Sequence, residues 1–492
     1  MKKILYSFFV LAITTAVVSC KKNITDLNIN PSLPLTVTSA SLFSNASINL
    51  SDVMASTNVN SNNFRLFAQY WTETIYRDET RYNLNGRGIT DRWWATLYRD
   101  VIKDLTQASI VVDNELKTPG TKLTAVQGKN RKAINEILIV YAYYTLVSSF
   151  GNIPYTEALD INNLQPKYDD AASVFTKISA RLDAALTALD PSAAGYGRAD
   201  IILNENMGAW KIFGNSLKMR MGMLVADVDP NTARTMVLAA APNVVSANSQ
   251  NLQIKYLSAP PNTNPVWEDL VQSGRHDFVA AKPFIDTLKK YNDPRLPAYF
   301  DQAITAGNGY VGQTPGAKAQ FNDFSAPATA ISQPEYPFTF FSYAEMEFYK
   351  AEAIERGIAV GGTAATHYKN AVYASIQEWG ASVATADAYY LNPNVNYATA
   401  PGTYKQKIGL QSWIALYNRG YDAWTQWRRL DYPVLAVPSG AASNFADGET
   451  PSVITRLTYP VVEQNLNKSS YDAAAQAVGK DFKTQKLWFD KF

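Results

Sequence analysis

KQKIGLQSWIALYNRGYDAWTQWRRLDY, residues 405–432, is the stretch around which the chain reads. It carries Trp413, Tyr417, Tyr421, Trp424 and Trp427, spaced by four, four, three and three residues. On a helix those intervals set all five rings on or near one face. Such a stripe is either a packing face or a platform on which sugar rings stack. Ile408, Leu410, Ile414 and Leu416 share the segment and make it broadly apolar, as a buried helix is. Trp413, Tyr417, Trp424 and Trp427 are therefore assigned to the core, and the ligand surface is sought elsewhere.

The chain opens with Lys2 and Lys3, an apolar run from Ile4 to Val18, and then Val17-Val18-Ser19-Cys20. A short basic start, a brief apolar segment and a small residue before the break predict a signal peptide over residues 1–19. The single cysteine sits at that break. This is the arrangement of a bacterial lipoprotein, with Cys20 as the lipidated first residue of the mature chain. No thiol then remains for a disulfide, a metal site or a nucleophile. Residues 20–40, polar and carrying Pro31 and Pro34, read as a tether.

The full chain holds 45 basic and 43 acidic residues, and losing Lys2 and Lys3 with the signal leaves 43 of each. A formally neutral protein is poorly suited to nucleic acid or to an anionic membrane surface as its main partner. His276 and His367 are far apart in sequence, so neither a histidine metal site nor a cofactor is expected. Aromatics are abundant, with 29 Tyr, 21 Phe and 10 Trp, and Tyr and Trp suit neutral polar ligands.

Helical spacing dominates the rest. Trp94, Leu97, Val101, Leu105, Ala108 and Val112 predict one buried stripe, with Trp94 inward and Trp93 beside it facing solvent. Ile134, Leu138, Tyr141 and Thr145 mark another helix, whose apolar run Ile137–Val147 is too short to span a membrane and which ends at Gly151 and Pro154. Further helices follow around Phe175 to Leu189 and Asn204 to Leu224. From Asp227 to Gln333, frequent Gly, Pro and Asn predict a loop-rich insertion with one or two hairpins. Ser342-x-x-Glu345 is a capping box. It opens a helix pair that runs to Trp379 and resembles a tetratricopeptide hairpin. Glu345, Glu347, Glu352 and Glu355 read as a solvated face, with Glu352 and Arg356 paired at four residues. Asp26 to Asn30 faintly resembles a calcium loop but lacks its Gly and downstream Glu.

The residues that carry a family resemblance come in order. They are Asn204 to Arg220, Asn292-Asp293-Pro294-Arg295-Leu296, Ser342 to Gly357, Lys405 to Pro433, and a tail of Tyr459-Pro460, Glu463, Asn465 and Trp488-Phe489-Asp490. With the lipoprotein start, this order resembles the SusD/RagB-like outer-membrane lipoproteins of Bacteroidetes-type bacteria, in particular the SusD-like nutrient-binding subgroup. The resemblance implies a mainly α fold of tetratricopeptide-like helical hairpins, forming a single domain over residues 41–492, with the loop-rich insertion at 227–333 on the ligand face. It also implies a lipid-anchored, cell-surface subunit of the outer membrane. That subunit captures oligosaccharides, or sometimes peptides, and passes them to a SusC-like TonB-dependent transporter. Lys21 and Lys22 depart from the acidic residues that often follow the lipidated cysteine in surface-exported relatives.

By the same resemblance, the ligand region maps to Trp71–Trp94. It yields Trp71, Tyr76, Arg77, Asp78, Arg81, Tyr82 and Trp93 as candidate ligand contacts. The chemistry fits, because a sugar offers C–H faces to aromatic planes and hydroxyls to Arg and Asp. Helix packing by Trp71 and Tyr76 is the competing reading. Within the insertion, Trp267, Arg275, His276 and Asp277 form a second candidate set. Arg-His-Asp there lacks a nucleophile motif, so a triad is not expected, and a locally ion-paired loop is the alternative. Three functions compete: a glycan-binding import subunit, a scaffold that binds only the transporter, and a helical-toroid glycosidase needing two carboxylates. No sequence feature picks such a pair, so no enzyme is expected.

Overall fold

A computed structural model describes residues 37–491, apart from 306 and 308. The signal peptide, Cys20, most of the expected tether and the Asp26–Asn30 motif lie outside the described residues.

Local signals set the helix ends. Ser39–Ala55 forms α1, which starts within the stretch expected to be tether. Phe64–Phe67 is a single turn, α2. Ile89–Ala95 (α3) runs through a π-helical segment, Thr96–Ile102, into Lys103–Lys117 (α4). At Ala125–Phe150 (α5), Thr124 accepts from the Gln127 backbone N–H, and Gln127 accepts from the Thr124 N–H in return. This reciprocal cap satisfies two orphan amides, and Gly151 at φ 89° ends the helix. Length and composition alone would let α5 cross a membrane, yet 94% of its apolar window is buried inside the protein. Ala171–Ala188 (α6) and Met207–Leu224 (α7) start at the side-chain caps Asp170 and Asn206. Pro230–Ala240 is α8 and Lys282–Tyr291 is α9. Tyr343–Glu355 (α10), Ala364–Glu378 (α11) and Val383–Tyr390 (α12) begin at Ser342, Thr363 and Ser382. Tyr404–Ala415 is α13 and Gly420–Leu430 is α14.

The helices pack in pairs: α1 with α4, α5 with α6, α7 with α8, α10 with α11, and α13 with α14. The expected hairpin from Ser342 to Trp379 is therefore present as α10–α11. Residues 405–432 form two helices and not one. Asn418 turns the chain at φ 67°, and Gly420 starts α14 against the backbone of Arg65, where a Cβ would stand 2.5 Å from the Arg65 nitrogen. Even so, Trp413, Tyr417, Tyr421 and Trp424 all enter one core, and only Trp427 is half-buried. Tyr417 stacks on Tyr299 at 4.2 Å, and Trp424 packs against Phe64 at 5.1 Å.

Strands are few and short. Trp71–Glu73 (β1) pairs antiparallel with Phe278–Ala280 (β3), and Leu252–Ile254 (β2) with Phe338–Phe341 (β4). Among the described residues the insertion's two strands thus do not pair with each other, contrary to the sequence expectation, and only isolated bridges, Ala281–Gln313 and Phe300–Pro327, form within it. Its strands bond to segments outside it, because pairing there satisfies amides that buried loops would leave open.

The carboxylates of α10 are a second correction. Glu345, Glu347 and Glu352 are buried, and Glu355 alone is exposed. Arg220 of α7 meets Glu345 at 2.8 Å and Asp422 at 3.1 Å. Arg419 meets Glu345 at 2.6 Å and Asp422 at 2.7 Å. Glu352 pairs with Arg429 at 2.6 Å and with Arg356 at 2.8 Å, the latter at the expected four-residue spacing. Glu347 holds His367 and Lys350. Buried carboxylates are costly unless paired or hydrogen-bonded, so a face that reads as solvated on one helix becomes an inter-helix lattice.

Candidate functional site

The β1–β3 ladder brings both candidate segments to one place. Beyond Glu73, the Thr74 N–H donates to the Asp277 carbonyl at 2.8 Å, and its hydroxyl lies 3.2 Å from the His276 carbonyl. Ile75 and Tyr76 then turn outward beside Arg275, His276 and Asp277, and both are more than half exposed. Gln69, Tyr76 and Tyr82 have left-handed backbones, with φ of 54°, 47° and 66°. For residues other than glycine this is a strained conformation that clusters at ligand-contacting segments.

Two depressions meet here. One of about 480 Å³ is lined by Val59, Glu73, Ile75, Tyr76, Glu79 and Arg87. The other, of about 240 Å³, is lined by Leu270, Val271, His276, Ile304, Phe321 and Phe324 among others. Arg275 and Asp277, ion-paired at 2.5 Å, form a rim common to both. The His276 ring lies on Phe321 at 4.8 Å, which sets an exposed histidine against a half-buried phenylalanine at the edge.

Glu73 and Glu79 close the floor of the larger depression, both nearly inaccessible. Glu73 Oε2 accepts from the Thr80 N–H at 2.9 Å and from its hydroxyl at 2.8 Å. Burial, and then the neighbouring Glu79, push the Glu73 carboxyl up to about 9. Burial also raises Glu79, which Arg87 approaches at 3.4 Å. At neutral pH Glu73 therefore carries a proton, and Arg87 is the cation nearest the floor.

Several candidates do not reach this face. Trp71, Tyr82 and Trp93 are buried and are corrected to core residues. Trp71 is held by β1 between Phe278 and Tyr417, with Arg65 over its ring at 5.2 Å. Tyr82 packs edge-on against Phe67 and Phe445. Trp93 was expected outside and Trp94 inside, but both are buried. Trp93 packs on Phe64 and Tyr421, while Trp94 packs on Tyr98 and Phe150. Neighbouring elements cover two sides of α3, which a single apolar stripe does not show. Arg77 and Arg81 tie the loop to the Gly316 carbonyl, at 3.3 and 2.9 Å. Asp78 is exposed, and Trp267 is half-buried and lines neither depression.

Sequence reasoning missed Ile75, Val271, Ile304 and Phe321. Each lies in a short, mostly polar segment with no helical or strand periodicity, a pattern too common to single out. It also missed Glu73 and Glu79, which alternate with polar neighbours and gave no sign of burial.

With this geometry in place, comparison decides the family. The SusD-like family model described as "Starch-binding associating with outer membrane" matches residues 31–460.

The chain belongs to the SusD-like family.

Solved SusD-like structures superpose over nearly the whole chain. A chitin-binding protein is 25% identical, with 92% of this chain and 100% of its own covered and a TM-score of 0.75. A chitin-binding SusD homologue from Flavobacterium johnsoniae is 23% identical, covers 92% and 98%, and has a TM-score of 0.76. A SusD homologue from Bacteroides uniformis is 24% identical, covers 92% and 99%, and has a TM-score of 0.77. None of the curated proteins compared with the chain matches it. The mainly helical architecture expected from the sequence is that of these SusD-like neighbours.

Proposed function

We propose that this SusD-like protein is a lipid-anchored, glycan-binding subunit at the cell surface. It captures oligosaccharides and passes them to a SusC-like TonB-dependent transporter of the outer membrane. The observation that carries this reading is the convergence of Tyr76 and the His276–Phe321 pair on one face, about the Arg275–Asp277 rim. Exposed rings beside an ion pair supply what a sugar needs: flat apolar surface for its C–H faces, and both donors and acceptors for its hydroxyls. Binding by such a face requires no catalytic group. The chitin-binding names of two structural neighbours and the starch-binding description of the family support a glycan as ligand. The anchor rests on Cys20 and the apolar run before it. A single acyl chain holds a protein only marginally, so Cys20 carries more than one.

Isothermal titration of the mature protein against starch, chitin and other oligosaccharides, with peptides as a comparison, tests the ligand. A response to a glycan that disappears in Tyr76→Ala and His276→Ala variants of unchanged fold is the expected result. A response to peptides alone moves the ligand class. Silence from every ligand, with the transporter still co-purifying, replaces the reading by a pure scaffold.

A further inference from the structure

Gln253, Tyr336, Phe338, Glu378, Trp379 and Tyr417 line a recess of about 210 Å³ that shares no residue with the glycan face. It is smaller than the roughly 300–1,000 Å³ of drug-sized sites, so it accommodates one ring or one residue. Its wall is aromatic: Trp379 packs edge-on to Tyr299 at 4.6 Å and lies 5.7 Å from Tyr417. Tyr336, Glu378 and Trp379 are only partly buried, so this wall is open to a ligand.

The charge in the recess is unbalanced. Arg419 also lines it, but its guanidinium is taken by Glu345 and Asp422, which Arg220 shares. Those two arginines and two carboxylates cancel. Glu378 stands outside that lattice. It accepts one hydrogen bond, 3.2 Å from Asn251 Nδ2, and among the described residues it forms no ion pair. A partly buried carboxylate beside an indole and phenols suits one chemistry above others, a protonated amine, which takes the charge from the carboxylate and the ring faces from the aromatics.

We propose that this recess is a second ligand site, taking a single ring- or residue-sized molecule that bears an ammonium group, with Glu378 as its counter-ion and Trp379 and Tyr336 as its aromatic wall. Gln253 donates to the Thr339 hydroxyl at 2.8 Å, which leaves its amide oxygen to accept from a second polar group of the ligand. The groups facing Glu378 are Arg419, Glu345 and the phenols of Tyr336 and Tyr299. Burial raises the Glu378 carboxyl to about 7, against the opposing pull of Arg419 and with a smaller push from Glu345. The site therefore gains its charge as pH rises through neutrality.

Isothermal titration of the full chain with cyclohexylammonium and with cyclohexanol separates charge from shape, since the two probes share a ring. The expected result is binding of the amine alone, tightening roughly tenfold from pH 6 to pH 8 as Glu378 ionises while the amine stays protonated. Glu378→Gln, an isostere, lowers that affinity at least about tenfold and flattens the pH profile, whereas Tyr76→Ala leaves both unchanged. Glucosamine and glycinamide, titrated separately, tell an amino-sugar source from an amino-acid source, and either one supports the site. Equal binding of cyclohexanol and cyclohexylammonium, or no binding of any amine, overturns the proposal. So does an unaltered pH profile in Glu378→Gln. The probe comparison uses the native chain, so it stands even if a variant folds poorly.

Discussion

Trp71 Nε1 donates a hydrogen bond of 3.0 Å to the hydroxyl of Tyr417, 346 residues further along the chain. The Tyr417 hydroxyl in turn donates to the Tyr299 carbonyl at 2.8 Å. This relay joins β1, the insertion and the turn after α13, and it fixes the base from which the ligand-facing loop departs. Trp71→Ala removes the ring, the bond and the cation–π partner of Arg65 together. The expected cost is about 3–5 kcal/mol in unfolding free energy, read by denaturant titration. Trp71→Phe keeps much of the volume and is expected to lose markedly less. Equal losses from the two variants would show that packing volume is not what Trp71 contributes.

Tyr76 lies at the opposite extreme of burial and yields a different pair of outcomes. Tyr76→Ala is expected to weaken glycan affinity about tenfold or more, the scale of an exposed aromatic anchor. Its unfolding midpoint is expected to stay close to that of the native chain. Tyr76→Gly loses the same affinity yet is more stable than Tyr76→Ala by about 1 kcal/mol, because only glycine accepts φ 47° without steric cost. Thermal unfolding of the two variants side by side checks the backbone argument independently of the ligand.

Glu345→Gln tests the buried lattice. Arg220 and Arg419 would each lose an anionic partner while remaining desolvated, at an expected cost of about 3–5 kcal/mol. The two arginines hold the Glu345 carboxyl below its usual range despite its burial. With the folded value depressed, the stabilisation is present above the unfolded carboxyl pKa of about 4.3 and is lost as pH falls through the folded value. The difference between variant and native chain is therefore expected to be largest near neutrality and to shrink in acid. A penalty that grows as pH falls would refute the charge argument.

Glu73 predicts the reverse slope. Its folded pKa of about 9 lies above the unfolded value, so between the two the folded chain binds more protons than the unfolded chain. Stability from this group therefore falls as pH rises from about 4.3 towards 9. Glu73→Gln imitates the protonated form and keeps an acceptor for Thr80. It is expected to raise the melting temperature relative to the native chain at pH 8 and to change it little at pH 5. A scan of melting temperature against pH for both proteins reads the outcome, and parallel curves would show that Glu73 is ionised in the fold.

Much of the helical scaffold was legible beforehand. The Ser342 cap, the Gly151 stop and the apolar spacing around Trp210 and Leu217 act within one or two turns, so the sequence reveals them without knowledge of any neighbour. Of the four rings of the 413–427 stripe assigned to the core, Trp413, Tyr417 and Trp424 lie there, whereas Trp427 is only half-buried; Tyr421, which was not assigned, is buried with them. The stripe's single helix was not legible as two, because the left-handed Asn418 turn depends on Gly420 meeting Arg65.

By itself, the sequence determined where helices start, which faces are apolar, that the chain is SusD-like, and that the stretch after Gln69 and the one before Phe278 were worth watching. Only the tertiary structure decided that these two stretches form one face. It also decided that Trp71, Tyr82 and Trp93 belong to the core and that Glu345 and Glu352 are buried. The reason is the range of the forces involved. Capping and periodicity are settled within a few residues, whereas the burial of a ring or a carboxylate depends on what arrives from elsewhere in the chain. Trp71 waits for Tyr417, and Glu345 for Arg220 and Arg419.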